Sequence, residues 1–292
     1  MKSRLIILVL TFLSWLPLRW QRRLGSFLGS WAFLAGTRMA RTTEINLGLC
    51  FPELSEAERR QLARASLRHT FQTICEAGGV WLWPAGRILA CIERVEGLEL
   101  LRAALAQGKG VVVAGPHLGN WELLGLYLSA AGLGPSRQLF QPPGDPRLGK
   151  LIYDARSRGG AHMVPTDKQG VALLLRALKA GEIVGILPDQ VPPMESGEFA
   201  PFFGKPALTM TLLTRLQQKT GARVLCGAAW RSEGGFVIEF SEPDPAIYAA
   251  DPQAALWGLN ASVEVMARKN PEQYQWEYKR FKRQPPGLSA PY

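Results

Sequence analysis

At 292 residues the chain has a length at which an α/β fold often stays undivided, and its 47% apolar and 20% charged residues are the composition of a globular protein. With 34 Lys+Arg against 24 Asp+Glu the formal net charge is +10, which calls for an anionic partner without choosing among nucleic acid, an acidic membrane surface, a phosphorylated substrate or an acidic protein. The four cysteines (Cys50, Cys75, Cys91 and Cys226) are scattered, with no partner histidine at metal-ligand spacing, which argues against a metal site and for small core residues in a reducing compartment.

The N-terminus, MKSRLIILVLTFLSWLPLRWQRRLG, sets an apolar run from Leu5 to Leu18 between Lys2/Arg4 and Arg19/Arg22/Arg23. A membrane span needs about 20 apolar residues, so the run is short. Pro17 interrupts it near its end, and no small-residue cleavage site follows. Positive flanks with Trp15 and Trp20 near the boundary suit a segment that lies in, or dips into, the cytoplasmic face of a membrane. Residues 1–36 therefore read as an N-terminal apolar membrane anchor, extended by LGSFLGSWAFLAG, with residues 37–292 as the remaining domain. An apolar helix packed on that domain is the alternative.

ELSEAERRQLARASLRHTFQTICEAG (53–78) has helical spacing and a capping box in Ser55 and Glu58. A pattern then occurs twice, in LELLRAALAQGKGVVVAGPH (98–117) and ALLLRALKAGEIVGILPDQ (172–190): amphipathic helix, glycine stop, short buried strand, then a polar residue just after a proline. Repeated helix and apolar strand predict an α/β fold, a mostly parallel central sheet covered by helices. Ligands of such sheets sit beyond the carboxyl ends of the strands, so His117 and Asp189 face one pocket if their strands are neighbours. Further strands are expected at 222–230 and 234–240, a long functional loop at 192–207, and a helix carrying interleaved aromatic and basic residues from Asn270-Pro271 onward. His69 and His162 read as structural.

HLGNWE (117–122) is the stretch that carries chemistry. A helix starting near Asn120 puts Glu122 in its first turn, from which it can reach back to His117, fix the imidazole tautomer and leave the other ring nitrogen as a base. The structural alternative is that Asn120 caps the helix, Glu122 complements its dipole and His117 fills a loop. No Ser or Cys lies inside HLGNWE and no G-x-S-x-G elbow occurs, so direct transfer of an acyl group is preferred to a covalent acyl-enzyme.

Taken whole, HLGNWE resembles the signature of the bacterial late acyltransferases of lipid A biosynthesis, the lauroyl/myristoyl transferase family. NLGLCFPELSEAER (46–59), LPDQ (187–190), FAPFFGKPA (199–207), TGARV (220–224) and NPEQYQWEYKRFK (270–282) match further family blocks in order. The resemblance implies a glycerolipid-acyltransferase-like fold on the cytoplasmic face of the bacterial inner membrane. It implies a donor acyl thioester on acyl carrier protein, an acceptor hydroxyl of a 3-hydroxyacyl chain on a Kdo-bearing lipid A precursor, contact with membrane lipids, and no cofactor, metal or nucleic acid. Carried onto this chain, His117 is the general base and Glu122 its orienting partner. Asn120, Arg156, Arg158, Asp189, Gln190 and Lys205 are substrate-binding candidates, with the two arginines holding phosphates or the thioester carbonyl. Phe202, Phe203 and Lys205 sit in the loop expected to border the acyl entrance, with aromatic packing alone as the alternative. Where many relatives have an aromatic-Arg-Pro run, this chain has Phe140-Gln141-Pro142. Two readings stand beside it: an acyltransferase acting on another glycolipid, such as a phosphatidylinositol mannoside, from acyl-CoA, and a non-enzymatic basic membrane or nucleic-acid-binding protein.

Overall fold

A computed structural model describes residues 2–292. Helices α1 (Lys2–Trp15), α2 (Leu18–Leu34), α3 (Arg38–Cys50) and the long α4 (Glu56–Leu82) come first. The capping box of α4 forms as its sequence predicts: Ser55 Oγ accepts the Glu58 N–H and the Glu58 carboxylate accepts the Ser55 N–H. Then follow α5 (Ala85–Leu89), β1 (Ile92–Glu96), α6 (Leu98–Ala106), β2 (Val111–Ala114), α7 (Trp121–Ala130), β3 (Ser136–Leu139), α8 (Pro146–Ser157), β4 (His162–Val164), α9 (Lys168–Lys179) and β5 (Ile183–Ile186). A hairpin of β6 (Gly197–Phe202) and β7 (Lys205–Met210), α10 (Leu212–Thr220), β8 (Arg223–Arg231), β9 (Phe236–Ser241) and α11 (Pro252–Lys269) complete the chain.

The central sheet has seven strands in the order β1-β9-β8-β2-β5-β3-β4, parallel at every pairing except β8 with β9. The two repeated helix-strand units supply its centre, since β2 and β5 pair directly with Val111 opposite Ile183. Period-two alternation splits the strand side chains between two cores. Val111 and Val113 pack with Leu123 and Leu126 of α7, while Val112 and Ala114 pack with Leu174 and Leu178 of α9 on the opposite face.

The N-terminal segment lies on the domain as two helices broken at Pro17. Gly25 and Gly29 let the α2 backbone touch that of α4, because a Cβ at either would strike the Gln72 or Leu67 main chain. Their outer surface still exposes Leu5, Leu8, Phe12, Trp15, Phe27 and Trp31. No helix among the described residues is long and apolar enough to cross a membrane; the segment expected as an anchor is a pair of helices packed on α4 with an apolar outer face.

Two segments differ from their sequence reading. Most of the expected loop at 192–207 is hairpin: Phe203 and Gly204, both with positive φ, make a two-residue turn, Phe203 is buried against Phe51 and Trp276, and Phe202 against Tyr274 and Phe281, so both are core residues. The expected aromatic-basic helix after Asn270 is a single turn at Pro271–Gln273 and then a strap of turns and bends. Tyr274, Trp276 and Phe281 are core residues, and the Asn46 amide donates to the carbonyls of Trp276 and Tyr278. Helical spacing fails there because aromatics two apart, 274 and 276, are both buried, so these side chains face the core.

Candidate active site

β2 and β5 deliver His117 and Asp189 to the same edge of the sheet, just past their carboxyl ends. Asp189 Oδ1 lies 2.8 Å from His117 Nδ1, and Oδ2 accepts the His117 backbone N–H at 3.0 Å. Burial alone would raise the Asp189 carboxyl; the His117 charge and these two hydrogen bonds outweigh it and hold the group below its usual range. An ionised Asp189 makes Nδ1 the protonated nitrogen and leaves Nε2 with its lone pair free to accept. That lone pair meets Gln190 Nε2 at 3.1 Å, and the same amide also donates to Gln275 Oε1. The ring leans on Trp121, centroids 4.9 Å apart.

The loop holding His117 is clamped from both sides. Asn120 N–H donates to the Ala229 carbonyl of β8, and Gly119 approaches β8 so closely that a Cβ would collide with that carbonyl, with φ at +53°. This is what the glycine of HLGNWE does. On the other side the strap pairs with the loop: Gly119 N–H donates to Gln273 O and Gln275 N–H to His117 O.

Glu122 is not the partner of His117. From the first turn of α7 it faces α4 and α8, where it accepts Trp81 Nε1 at 3.1 Å and Arg156 Nε at 2.9 Å, with Arg156 Nη2 on its second oxygen. Burial would raise this carboxyl, and Arg156, then its hydrogen bonds with Trp81, bring it below the usual range. Arg156 is thereby committed to a carboxylate. Arg158 caps the end of α4, donating to the carbonyls of Val80 and Trp81.

Asn120, expected at the substrate, is buried: Oδ1 caps α7 on Leu123 N–H and Nδ2 donates to Glu76 at 2.9 Å. Lys205 sits exposed at the hairpin tip and bonds none of these side chains. Of the expected substrate contacts, Gln190 alone meets His117 at its free nitrogen.

Glu76 was not singled out by sequence reasoning, although a lone acid within ICEAGGVWLW is an available signal. It is fully buried on α4 and binds Arg22 of α2 at 2.7 Å, Arg231 of β8 at 2.9 Å and Asn120. Glu277, half-buried, accepts from Thr70 Oγ1, and desolvation raises its carboxyl above the usual range. Trp81, the link between α4 and Glu122, was likewise missed.

Beside this cluster a narrow cavity of about 40 Å³ runs between α7, β2, β3 and β5. Val113, Leu124, Leu128, Leu139, Ile186 and Leu187 line it together with Trp121, Glu122 and Arg156. Among the described residues no group of three or more His, Cys, Asp or Glu could hold a metal ion.

The arrangement places a carboxylate-oriented imidazole beside a slot of apolar walls. Across residues 2–283 the chain matches the family model described as bacterial lipid A biosynthesis acyltransferase. It is 32% identical to the lipid A biosynthesis lauroyltransferase of Escherichia coli (strain K12), over 92% of this chain and 88% of that one. It is 30% identical to the palmitoleoyltransferase of the same organism, over 92% and 87%, and 26% identical to its myristoyltransferase, over 92% and 82%.

Proposed function

The chain belongs to the bacterial lipid A biosynthesis acyltransferases, and from that premise we propose that it moves a fatty acyl group from an acyl carrier protein thioester to a hydroxyl of a 3-hydroxyacyl chain on a Kdo-bearing lipid A precursor, with His117 as general base. The observation that carries this reading is the His117–Asp189 pair, 2.8 Å apart, which fixes the proton on Nδ1 and leaves Nε2 to take one.

The acceptor hydroxyl takes the place that the Gln190 amide holds against Nε2. His117 removes its proton as the oxygen forms a bond to the thioester carbonyl carbon. When the tetrahedral intermediate collapses, the carbon–sulfur bond breaks and the leaving thiolate receives that proton from the imidazolium. Proton transfer of this kind contributes about 10²–10⁴ in rate. Asp189 orients the ring and balances its charge. Glu122 and Arg156 hold Trp81 and the end of α8 around the slot, a positioning role.

The enzyme works, in this reading, on the cytoplasmic face of the inner membrane. The exposed apolar residues of α1 and α2, with Trp15, Trp20 and Trp31 among them, support interfacial seating rather than crossing. The net charge of +10 suits phosphates, Kdo carboxylates and an acidic carrier protein.

The test supplies the detergent-solubilised protein with acyl carrier protein bearing different chains and a Kdo-lipid A precursor, and weighs the product. A mass gain of one acyl group that disappears in His117→Ala is the expected result. No gain with any donor, from folded protein, overturns the assignment.

The donor's chain, in this reading, enters along this slot, which has to widen beyond its about 40 Å³ to admit it. Gly185 lines it, and a Cβ there would meet Gln138 and Leu128 at 3.5 and 3.7 Å, ordinary contact distances. Gly185→Ala is therefore expected to fold normally and to move donor preference toward shorter chains, by roughly fourfold per excluded methylene at about 0.8 kcal/mol each. Competition between donors of two lengths in one reaction measures the shift; an unchanged ratio removes this slot as the acyl site.

A further inference from the structure

A second cavity, of about 570 Å³, lies outside the machinery described so far, between α1, the junction of α4 with α5, and α8. Its polar side is one face of α8, on which Arg147, Lys150, Asp154 and Arg158 recur at helical spacing. Lys150 is paired with Asp154 at 2.6 Å. Arg147 and Arg158 have no carboxylate partner among the described residues, since Arg158 donates to main-chain carbonyls. The cavity thus carries three cations against one acid, with positive charge left over. Its other walls are apolar and aromatic: Ile7, Trp81 and Trp83.

Two neighbours say what would use such a space. Trp81 forms part of the wall, and its indole N–H is bonded to Glu122, which lines the slot beside His117; the cavity and the slot are therefore separated by this one contact. On the outer side Ile7 belongs to α1, whose Leu5 and Leu8 are about two-thirds exposed, at 64% and 66%. An amphiphile resting against α1 could insert a charged head while its chains stay on the apolar surface. A volume of this order holds a sugar-sized group and is far larger than a bare phosphate needs.

We propose that this cavity binds the anionic, phosphate- or carboxylate-bearing sugar head group of the lipid acceptor, with Arg147 and Lys150 as its charged contacts and Arg158, held on main-chain carbonyls, adding positive charge to the wall. This deepens the acyl-transfer reading and rests on it. The cations position the acceptor's head, and the hydroxyl to be acylated reaches His117 on the far side of Trp81.

The test uses Arg147→Ala/Lys150→Ala, two exposed positions whose truncation leaves the core untouched. In dodecyl maltoside micelles, monododecyl phosphate is titrated against wild type and variant by thermophoresis, with inorganic phosphate as a competitor. Acylation kinetics are run in parallel with varied acceptor and varied donor. The expected result is binding of monododecyl phosphate weakened at least tenfold in the variant, weak competition by inorganic phosphate, acceptor KM raised by about the same factor, and kcat and donor KM unchanged.

Equal binding by both proteins overturns the proposal. So does competition by inorganic phosphate as strong as by the lipid phosphate, which makes the cavity a simple anion site. Weakened binding with an unchanged acceptor KM reassigns the cavity to an anionic membrane lipid, and a raised donor KM alone reassigns it to the acidic carrier protein; each overturns the acceptor assignment. Should wild type fail to acylate the precursor at all, that failure belongs to the proposed reaction, and the binding arm still decides whether an anionic amphiphile occupies the cavity.

Discussion

Asp189→Asn is expected to lower single-turnover acyl transfer by about 10³–10⁴-fold while leaving donor KM near its wild-type value. Two donors converge on this carboxylate, His117 Nδ1–H and the His117 backbone N–H. An asparagine offers one acceptor and one donor in the same space. If its oxygen keeps the backbone N–H, its amide nitrogen faces Nδ1 and drives the ring's proton to Nε2, where a base can no longer act. If instead the oxygen keeps Nδ1, the backbone N–H loses its partner and the loop shifts. Rapid-quench kinetics measure the effect, and a variant within tenfold of wild type would remove Asp189 as the orienting group. The native pair is also acid-sensitive in a defined direction. Asp189 titrates below its ordinary value of 3.8, so its contribution to stability is fully present above that pH and is lost as pH falls through the lower folded value.

Glu76→Gln is expected to cost about 3–5 kcal/mol of stability, because it leaves two guanidinium groups, the buried one of Arg231 and the half-buried one of Arg22, without a counter-ion. The replacement keeps the side chain's volume, so the loss reports charge and hydrogen bonding rather than a cavity. Arg231 and Glu76 have side chains exposed by only 3% and 0%, where water cannot screen the unpaired cation. The same substitution changes the group that holds Asn120, and with it the cap of α7. A lowered melting temperature together with reduced activity is the predicted pattern; a denaturation midpoint equal to wild type would show that the network carries no net stabilisation. Burial pushes the Glu76 carboxyl up, but Arg231 and Arg22 prevail and hold it below its ordinary 4.5. Its contribution is therefore also constant above that pH and lost on acidification.

Local chemistry made much of the architecture legible. The two helix-glycine-strand units at 98–117 and 172–190 give β2 and β5, and their direct parallel pairing puts His117 and Asp189 together from positions 72 residues apart. The α4 cap was readable because a capping box is a contact between residues three apart. Readings that extrapolated local spacing to tertiary direction fared differently. Glu122 does occupy the first turn of α7, yet a helix first turn points a side chain to whichever element lies beside it, and here α8 brings Arg156. The same holds for Asn120 and the arginines of ARSRGG, which are polar in sequence and consumed by internal partners in the fold.

The sequence by itself determined the α/β class, the strand-end position of His117 and Asp189, the helix that carries Glu122, and, through blocks spread along its length, the resemblance to lipid A acyltransferases. Those features follow from periodicity, capping and motif, which are properties of residues near one another in the chain. Only the tertiary structure decided that Asp189 rather than Glu122 holds the imidazole, that Glu76 ties α2, α4, α7 and β8 into one buried ion network, that the C-terminal aromatics form a strap clamping the HLGNWE loop, and that the apolar N-terminus folds back on α4. Each of these depends on which distant group satisfies a buried charge or main-chain amide, and in a low-dielectric interior that pairing is set by three-dimensional neighbours rather than by sequence spacing.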